Sequence, residues 1–186
     1  MRWLTGRARA LFVVLLVTAL LAPVVRPAAA GDGHDVRATL LANKEFAPAL
    51  LEGIRSARST IICCYYLFKT GSGRTNLPRR IAEELIKARQ RGVEVSVILE
   101  AQGRTNDRLD ADNHATAAYL ARGGVKVFFD SPSVTTHSKV TVIDDRYVFL
   151  GSHNLTQGAL SHNNELSLLL DSPAMAAEIR SLLRRL

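Results

Sequence analysis

Residues 138 to 143 read Ser-Lys-Val-Thr-Val-Ile and residues 146 to 150 read Arg-Tyr-Val-Phe-Leu, with only Asp144-Asp145 between them. Two runs rich in β-branched and aromatic residues around a two-residue polar break predict a β-hairpin. The hairpin constrains its flanks. Alternate residues of a strand share a face, so His137 and Lys139 project together, roughly 6 to 7 Å apart. The second strand delivers the chain to Gly151-Ser152-His153-Asn154, where glycine permits a sharp exit and close backbone approach.

These residue types suit phosphate chemistry. A neutral imidazole can attack phosphorus, and a fixed ammonium neutralises the non-bridging oxygens during displacement, so no metal or other cofactor is needed. Ser152 and Asn154 offer side-chain donors beside main-chain N–H groups at a possible helix start, a natural anion cradle. Downstream, Glu165 opens the apolar run Leu166-Ser-Leu-Leu-Leu170, where its carboxylate could accept from an imidazole N–H and fix the tautomer. If each of six fixed positions matches by chance about one time in twenty, the pattern arises with a probability on the order of 10⁻⁸ per start position.

The segment from His137 to Asn154, with Glu165 behind it, resembles the signature of the phospholipase D superfamily: His-x-Lys-x4-Asp, then Gly-Ser-x-Asn, then a later Glu. Upstream, residues 46–54, 60–68, 81–90 and 91–99 also resemble the first half of one superfamily domain. The resemblance implies a two-step mechanism through a phosphohistidine. His137 would be the nucleophile, Lys139, Ser152 and Asn154 would bind phosphate, and Glu165 would orient His137. Asp144 falls at the hairpin turn, far along the strand from His137, which favours a structural or hydrogen-bonding role.

The leaving alkoxide needs a proton, and a second imidazole is a suitable general acid. Long relatives carry two motifs, whereas short members pair one motif from each subunit across a twofold axis. No second copy occurs here, so a C2 homodimer with its active site at the interface is the economical reading. The competing reading is a monomer in which His153 or His162 supplies the acid. His114 sits in a helix-start context, where capping or exposure explains it.

Residues 1 to 30 combine a basic start, an apolar segment from Ala10 to Ala22 and Ala28-Ala29-Ala30, the pattern of a secretory signal peptide. Its apolar run is short of the roughly 20 residues of a comfortable membrane span, so no stable span is expected after cleavage; an uncleaved anchor is the alternative. Residues 31–186 would form one phosphodiesterase domain, periplasmic or secreted. Losing residues 1–30 removes four arginines and no acid, so the formal charge drops from +7 to +3. That favours a polyanionic partner only weakly. Adjacent Cys63 and Cys64 read as buried thiols in a central strand rather than a bridge or a zinc site.

Apolar periodicity predicts strands 36–41, 60–68, 93–99, 125–129 and 165–170, the hairpin 138–150, and helices 45–57, 77–90, 111–122 and 173–185. This order argues for an α/β fold, a mixed sheet flanked by helices on both faces. Two loops repeat Gly-Arg-Thr-Asn, at 73–76 and 103–106. Arg74 and Arg104, with Arg79, Arg80 and Arg108, could rim the site for a nucleic-acid backbone, or could simply be solvated. Residues 173–186 read as a docked amphipathic helix, a membrane-surface helix being the alternative. The expected activity is therefore metal-independent phosphodiester cleavage, with DNA or RNA as preferred substrate. Phospholipid hydrolysis is the rival, and a non-catalytic nucleic-acid-binding module a third possibility.

Overall fold

The computed structural model describes residues 33–73, 75–103, 108–131 and 133–186; the signal-peptide reading of residues 1–30 lies outside them. Seven strands form one sheet: β1 (Arg37–Ala42), β2 (Thr60–Tyr65), β3 (Glu94–Leu99), β4 (Lys126–Phe129), β5 (Lys139–Ile143), β6 (Tyr147–Gly151) and β7 (Leu166–Asp171). Their order is β1-β7-β6-β5-β2-β3-β4. β2, β3 and β4 pair in parallel through helical crossovers, and every other pairing is antiparallel. The sheet is mixed, as the sequence predicts.

The period of two in the strands sorts their side chains. Ile61, Cys63 and Tyr65 of β2, with Val95, Val97 and Leu99 of β3, face α1 (Phe46–Ser56), α2 (Leu77–Gln90) and α3 (Arg108–Arg122). Cys64, Val140, Val142, Val148 and Leu170 face α5 (Pro173–Leu183), whose Ala176 and Leu183 complete a second core. Helices thus cover both faces. Coverage by α5 is partial: Leu40 of β1 and Leu150 of β6 both pair with Leu168 of β7 between them, and Leu40, Leu168 and Leu150 remain 58%, 38% and 41% exposed, with Leu166 at 61%.

Several local signals act as read. Asn76 caps α2 by accepting from Arg79 N, and Ser172 caps α5 by accepting from Met175 N, each with proline in the first turn. Asp144 and Asp145 both adopt positive φ, +52° and +53°, the geometry of the two-residue turn whose twist matches a hairpin. Three details differ. β2 stops at Tyr65, not residue 68; α3 begins at Arg108, ahead of 111; and a short helix, α4 (Gln157–Ser161), lies between the hairpin and β7, where no element is predicted. Among the described residues no helix is long and apolar enough to cross a membrane.

Candidate active site

The site lies at the end of the sheet where β2 finishes, β5 starts and β6 finishes. Tyr66 N donates to Ser138 O (2.9 Å) and ties the two segments together just beyond their ladder. Lys139, only 8% exposed, turns its ammonium back to His137, donating to His137 O at 2.9 Å and lying 3.2 Å from Nδ1. The Tyr66 ring packs 4.5 Å from the His137 ring and 5.2 Å from Lys139 Nζ. Burial pulls the Lys139 pKa down, and Glu165 opposes that shift. A protonated lysine can only donate, so in this contact Nδ1 accepts and the ring proton of neutral His137 sits on Nε2.

Tyr66 was not singled out from sequence, and neither were the residues that hold it. Beyond β2 the chain leaves the sheet because α3 captures its backbone. Asn113 Nδ2 donates to Tyr66 O (2.9 Å) and Asn113 Oδ1 accepts from Phe68 N (2.9 Å), while Thr116 Oγ1 donates to Phe68 O (2.6 Å). Both side chains are fully buried, so these bonds replace the ladder that β2 abandons.

Gly151 is required by space. A Cβ there would collide with the Ser167 side chain and backbone and sit 2.5 Å from Leu166 O. This tight approach seats Ser152, whose N donates to Leu166 O (3.0 Å) and whose Oγ accepts from Leu166 N (3.1 Å) and donates to Glu165 Oε2. Asn154 Oδ1 is buried with no partner. His153 points the other way. It is 0% exposed, stacks on Phe46 at 4.4 Å, donates from Nε2 to Asn43 O (2.9 Å) and meets Ser167 Oγ through Nδ1 (2.7 Å). Burial pulls its pKa down, against weaker opposition from the Asn43 carbonyl and Glu165. With both nitrogens engaged away from His137, His153 is poorly placed as a general acid.

Asn43 is a second residue the sequence did not flag. At φ +53° it brackets Glu165: Asn43 N donates to Glu165 O (2.9 Å), and Glu165 N donates to Asn43 Oδ1 (2.8 Å). The Glu165 carboxylate takes bonds from Ser152 and Asn163. Among the described residues no hydrogen bond joins it to His137 of the same chain.

The other candidates have different partners. Asp144, at the opposite end of β5, accepts from Arg58 N, Ser59 N, Ser59 Oγ and Thr60 N. Burial pushes its carboxyl up, but these donors outweigh that and hold it below the usual range. His162 caps the end of α4, and exposed His114 packs on Phe129. Arg74 and Arg104 lie outside the described residues. Arg79 is committed to Glu83 and to the face of Tyr119, 3.6 Å away, while Arg80 and Arg108 are exposed. Among the described residues no group of three or more histidine, cysteine or acidic side chains is placed to hold a metal ion.

Comparison with known proteins fits this geometry into a family. Residues 50–186 match the family described as cardiolipin synthase, PLD-like domain. The chain is 27% identical over 175 residues to the mitochondrial cardiolipin hydrolase of Mus musculus, covering 92% of this chain and 73% of that protein. It is 28% identical over 127 residues to the polyphosphate kinase of Xylella fastidiosa, but spans only 17% of that protein's length. Its fold is similar to the phospholipase D family member Nuc from Salmonella typhimurium, with a TM-score of 0.67 and 24% identity over 81% of this chain and 93% of that one. The matched region contains the whole His137-to-Glu165 constellation, and the chain belongs to the phospholipase D superfamily through its PLD-like domain.

Proposed function

We propose that this domain is a metal-independent phosphodiesterase that works through a phosphohistidine on His137, with DNA or RNA as its substrate. The observation that carries the reading is the convergence of His137, Lys139, Ser152, Asn154 and Glu165 on the one end of the sheet where β5 starts and β6 ends. In the proposed reaction, His137 Nε2 attacks phosphorus and the bond to the leaving oxygen breaks as a second imidazole protonates that oxygen. Water then cleaves the phosphorus–nitrogen bond and restores His137. Lys139 and the Gly151–Asn154 turn stabilise the charge on the phosphate. Attack by Nε2 needs the other tautomer: the ring proton moves from Nε2 to Nδ1, where an acceptor holds it, and Lys139 turns from the imidazole to the phosphate.

A second copy of the chain supplies what one copy lacks. His153 is sealed in the core, and among the described residues no hydrogen bond or ring contact joins exposed His162 to His137, so the acid is assigned to the His137 of a second copy, and a Glu165 that does not reach its own imidazole is free to accept from the other. The exposed leucines 40, 150, 166 and 168 flank the strand ends that carry Ser152 and Glu165, and an apolar patch of this kind marks an association surface. Phospholipid is the second reading, favoured by the likeness to the mouse cardiolipin hydrolase over 92% of the chain. Export after removal of residues 1–30 is part of the proposal.

The test is turnover of plasmid DNA and of phosphatidylcholine vesicles by residues 31–186 in excess EDTA, with His137→Ala beside it. DNA cleavage lost in the variant supports the nuclease reading, and head-group release alone replaces it with the lipid reading. Activity that needs an added divalent ion overturns the metal-free mechanism. DNA binding without turnover, unchanged in His137→Ala, makes the domain a binding module. In sedimentation, Leu168→Glu should convert an active dimer to an inactive monomer; a fully active monomer ends the two-copy reading.

A further inference from the structure

Two acids that the proposed chemistry does not use lie beside the nucleophile. Glu100 follows β3 and Asp130 follows β4, and they are 1% and 6% exposed. Each has one oxygen bound to a neighbouring backbone. Glu100 Oε2 accepts from Thr136 N at 2.6 Å, one residue before His137, and Asp130 Oδ1 accepts from Ala101 N at 2.9 Å. The Glu100 backbone is held as well, its N donating to Tyr65 O (3.3 Å) and its carbonyl accepting from Asn113 Nδ2 (3.0 Å). The remaining oxygen of Asp130, Oδ2, is buried without a donor. A buried acceptor with no partner is costly, and adjacent carboxylates cannot both stay charged cheaply in a dry site.

We propose that Glu100 and Asp130 form a carboxylic acid–carboxylate hydrogen bond that positions Thr136 and, through it, His137. One proton resolves the anomaly: carried on Glu100 Oε1, it is donated to Asp130 Oδ2, and all four carboxyl oxygens then have a role. The pair couples the ends of β3 and β4 to the backbone entering β5, so Glu100 is a positioning residue for the nucleophile. The charged or titratable groups facing the pair are Asp110 on α3 and Cys64 on β2. Neither Glu100 nor Asp130 has a cationic partner among the described residues. Burial raises the Glu100 pKa; the Thr136 N–H opposes that, and Asp130 and Asp110 raise it further. Because folding raises this pKa, the contribution to stability is fully present below the ordinary carboxylate pKa and is lost as pH rises through the folded-state value.

Infrared difference spectra of the full domain in H2O and D2O, at neutral pH, test the proton directly. The expected result is a protonated-carboxyl band in the wild type that disappears in Glu100→Gln. Urea unfolding across pH should show a loss of stability that sets in above the ordinary carboxylate pKa and levels off beyond the folded-state value, and that Glu100→Gln removes, because the amide donates to Asp130 at every pH. Glu100→Gln should keep kcat within about twofold, while Glu100→Ala should lower it by an order of magnitude or so with little change in KM, as expected when positioning is lost rather than binding. No band at neutral pH, or a band that survives in Glu100→Gln, overturns the proposal. If Glu100→Gln does not fold, Asp130→Asn places the amide on the other partner; failure of both also overturns it, since each mimics the singly protonated pair. The kinetic arm rests on His137 as nucleophile, whereas the infrared and unfolding arms do not, so the two readings can fail separately.

Discussion

His153→Ala tests whether the phosphate turn is anchored from behind. The substitution removes a ring wholly out of solvent together with its bonds to Asn43 O and Ser167 Oγ. Two net hydrogen bonds contribute about 2 kcal/mol. Loss of the ring's packing against Phe46, with the void it leaves, adds about 2 kcal/mol more. The expected loss is therefore about 4 kcal/mol, a large part of the roughly 5–15 kcal/mol typical of a domain. Equilibrium urea unfolding of residues 31–186 at pH 8 measures it. The pKa adds a second signature with a definite sign. Because the folded-state pKa lies below the ordinary 6.5, the unfolded chain binds the proton first. Stability is then full above that pH and falls as pH drops toward the folded-state value, a slope the alanine variant should lack. A loss under about 1 kcal/mol with the acid slope unchanged would refute the anchoring role.

Three other outcomes follow from the same end of the sheet and its far edge. Gly151→Ala forces β6 and β7 apart at Ser167, and overpacking should cost about 3 kcal/mol in unfolding and displace Ser152; a variant within about 0.5 kcal/mol of wild type shows that the strands give way easily. Asp144→Ala should cost about 3 kcal/mol at neutral pH through its lost backbone bonds. With its folded-state pKa depressed, the contribution is present above the ordinary carboxylate pKa and fades as pH falls through the folded value, so wild type and variant should converge in acid. Asn43→Gly keeps the left-handed backbone and loses only the Oδ1 acceptor, so it should be about 1 kcal/mol more stable than Asn43→Ala, which also pays for positive φ; equal stabilities in thermal unfolding would contradict that assignment.

The hairpin, the parallel β2-β3-β4 unit and the docked α5 are legible in sequence because each rests on a local signal: alternation, a cap, or a two-residue turn. The end of β2 is not, because residues 66–68 are as apolar as the strand before them. What removes them from the ladder is Asn113 and Thr116, over 40 residues away. The spacing from His137 to Glu165 brings the candidate site into view, since consecutive strands deliver its residues to one end. Asn43 and the Glu100–Asp130 pair leave no such trace, because their roles arise only from packing between distant segments. Gly151 is intermediate: its place in the turn is readable, but its contact with Ser167 depends on the register of β7.

Adjacent residues on a central strand look in opposite directions, and Cys63 and Cys64 sit on β2 where that matters. Both are free and buried, with burial foremost in pushing their thiols up to about 12. One faces the three-helix layer and the other faces α5. The pair is a built-in clock with two hands. Timing the modification of each single-cysteine variant would reveal whether the two layers of the molecule open together or whether the thinner one, under α5, lets solvent in first.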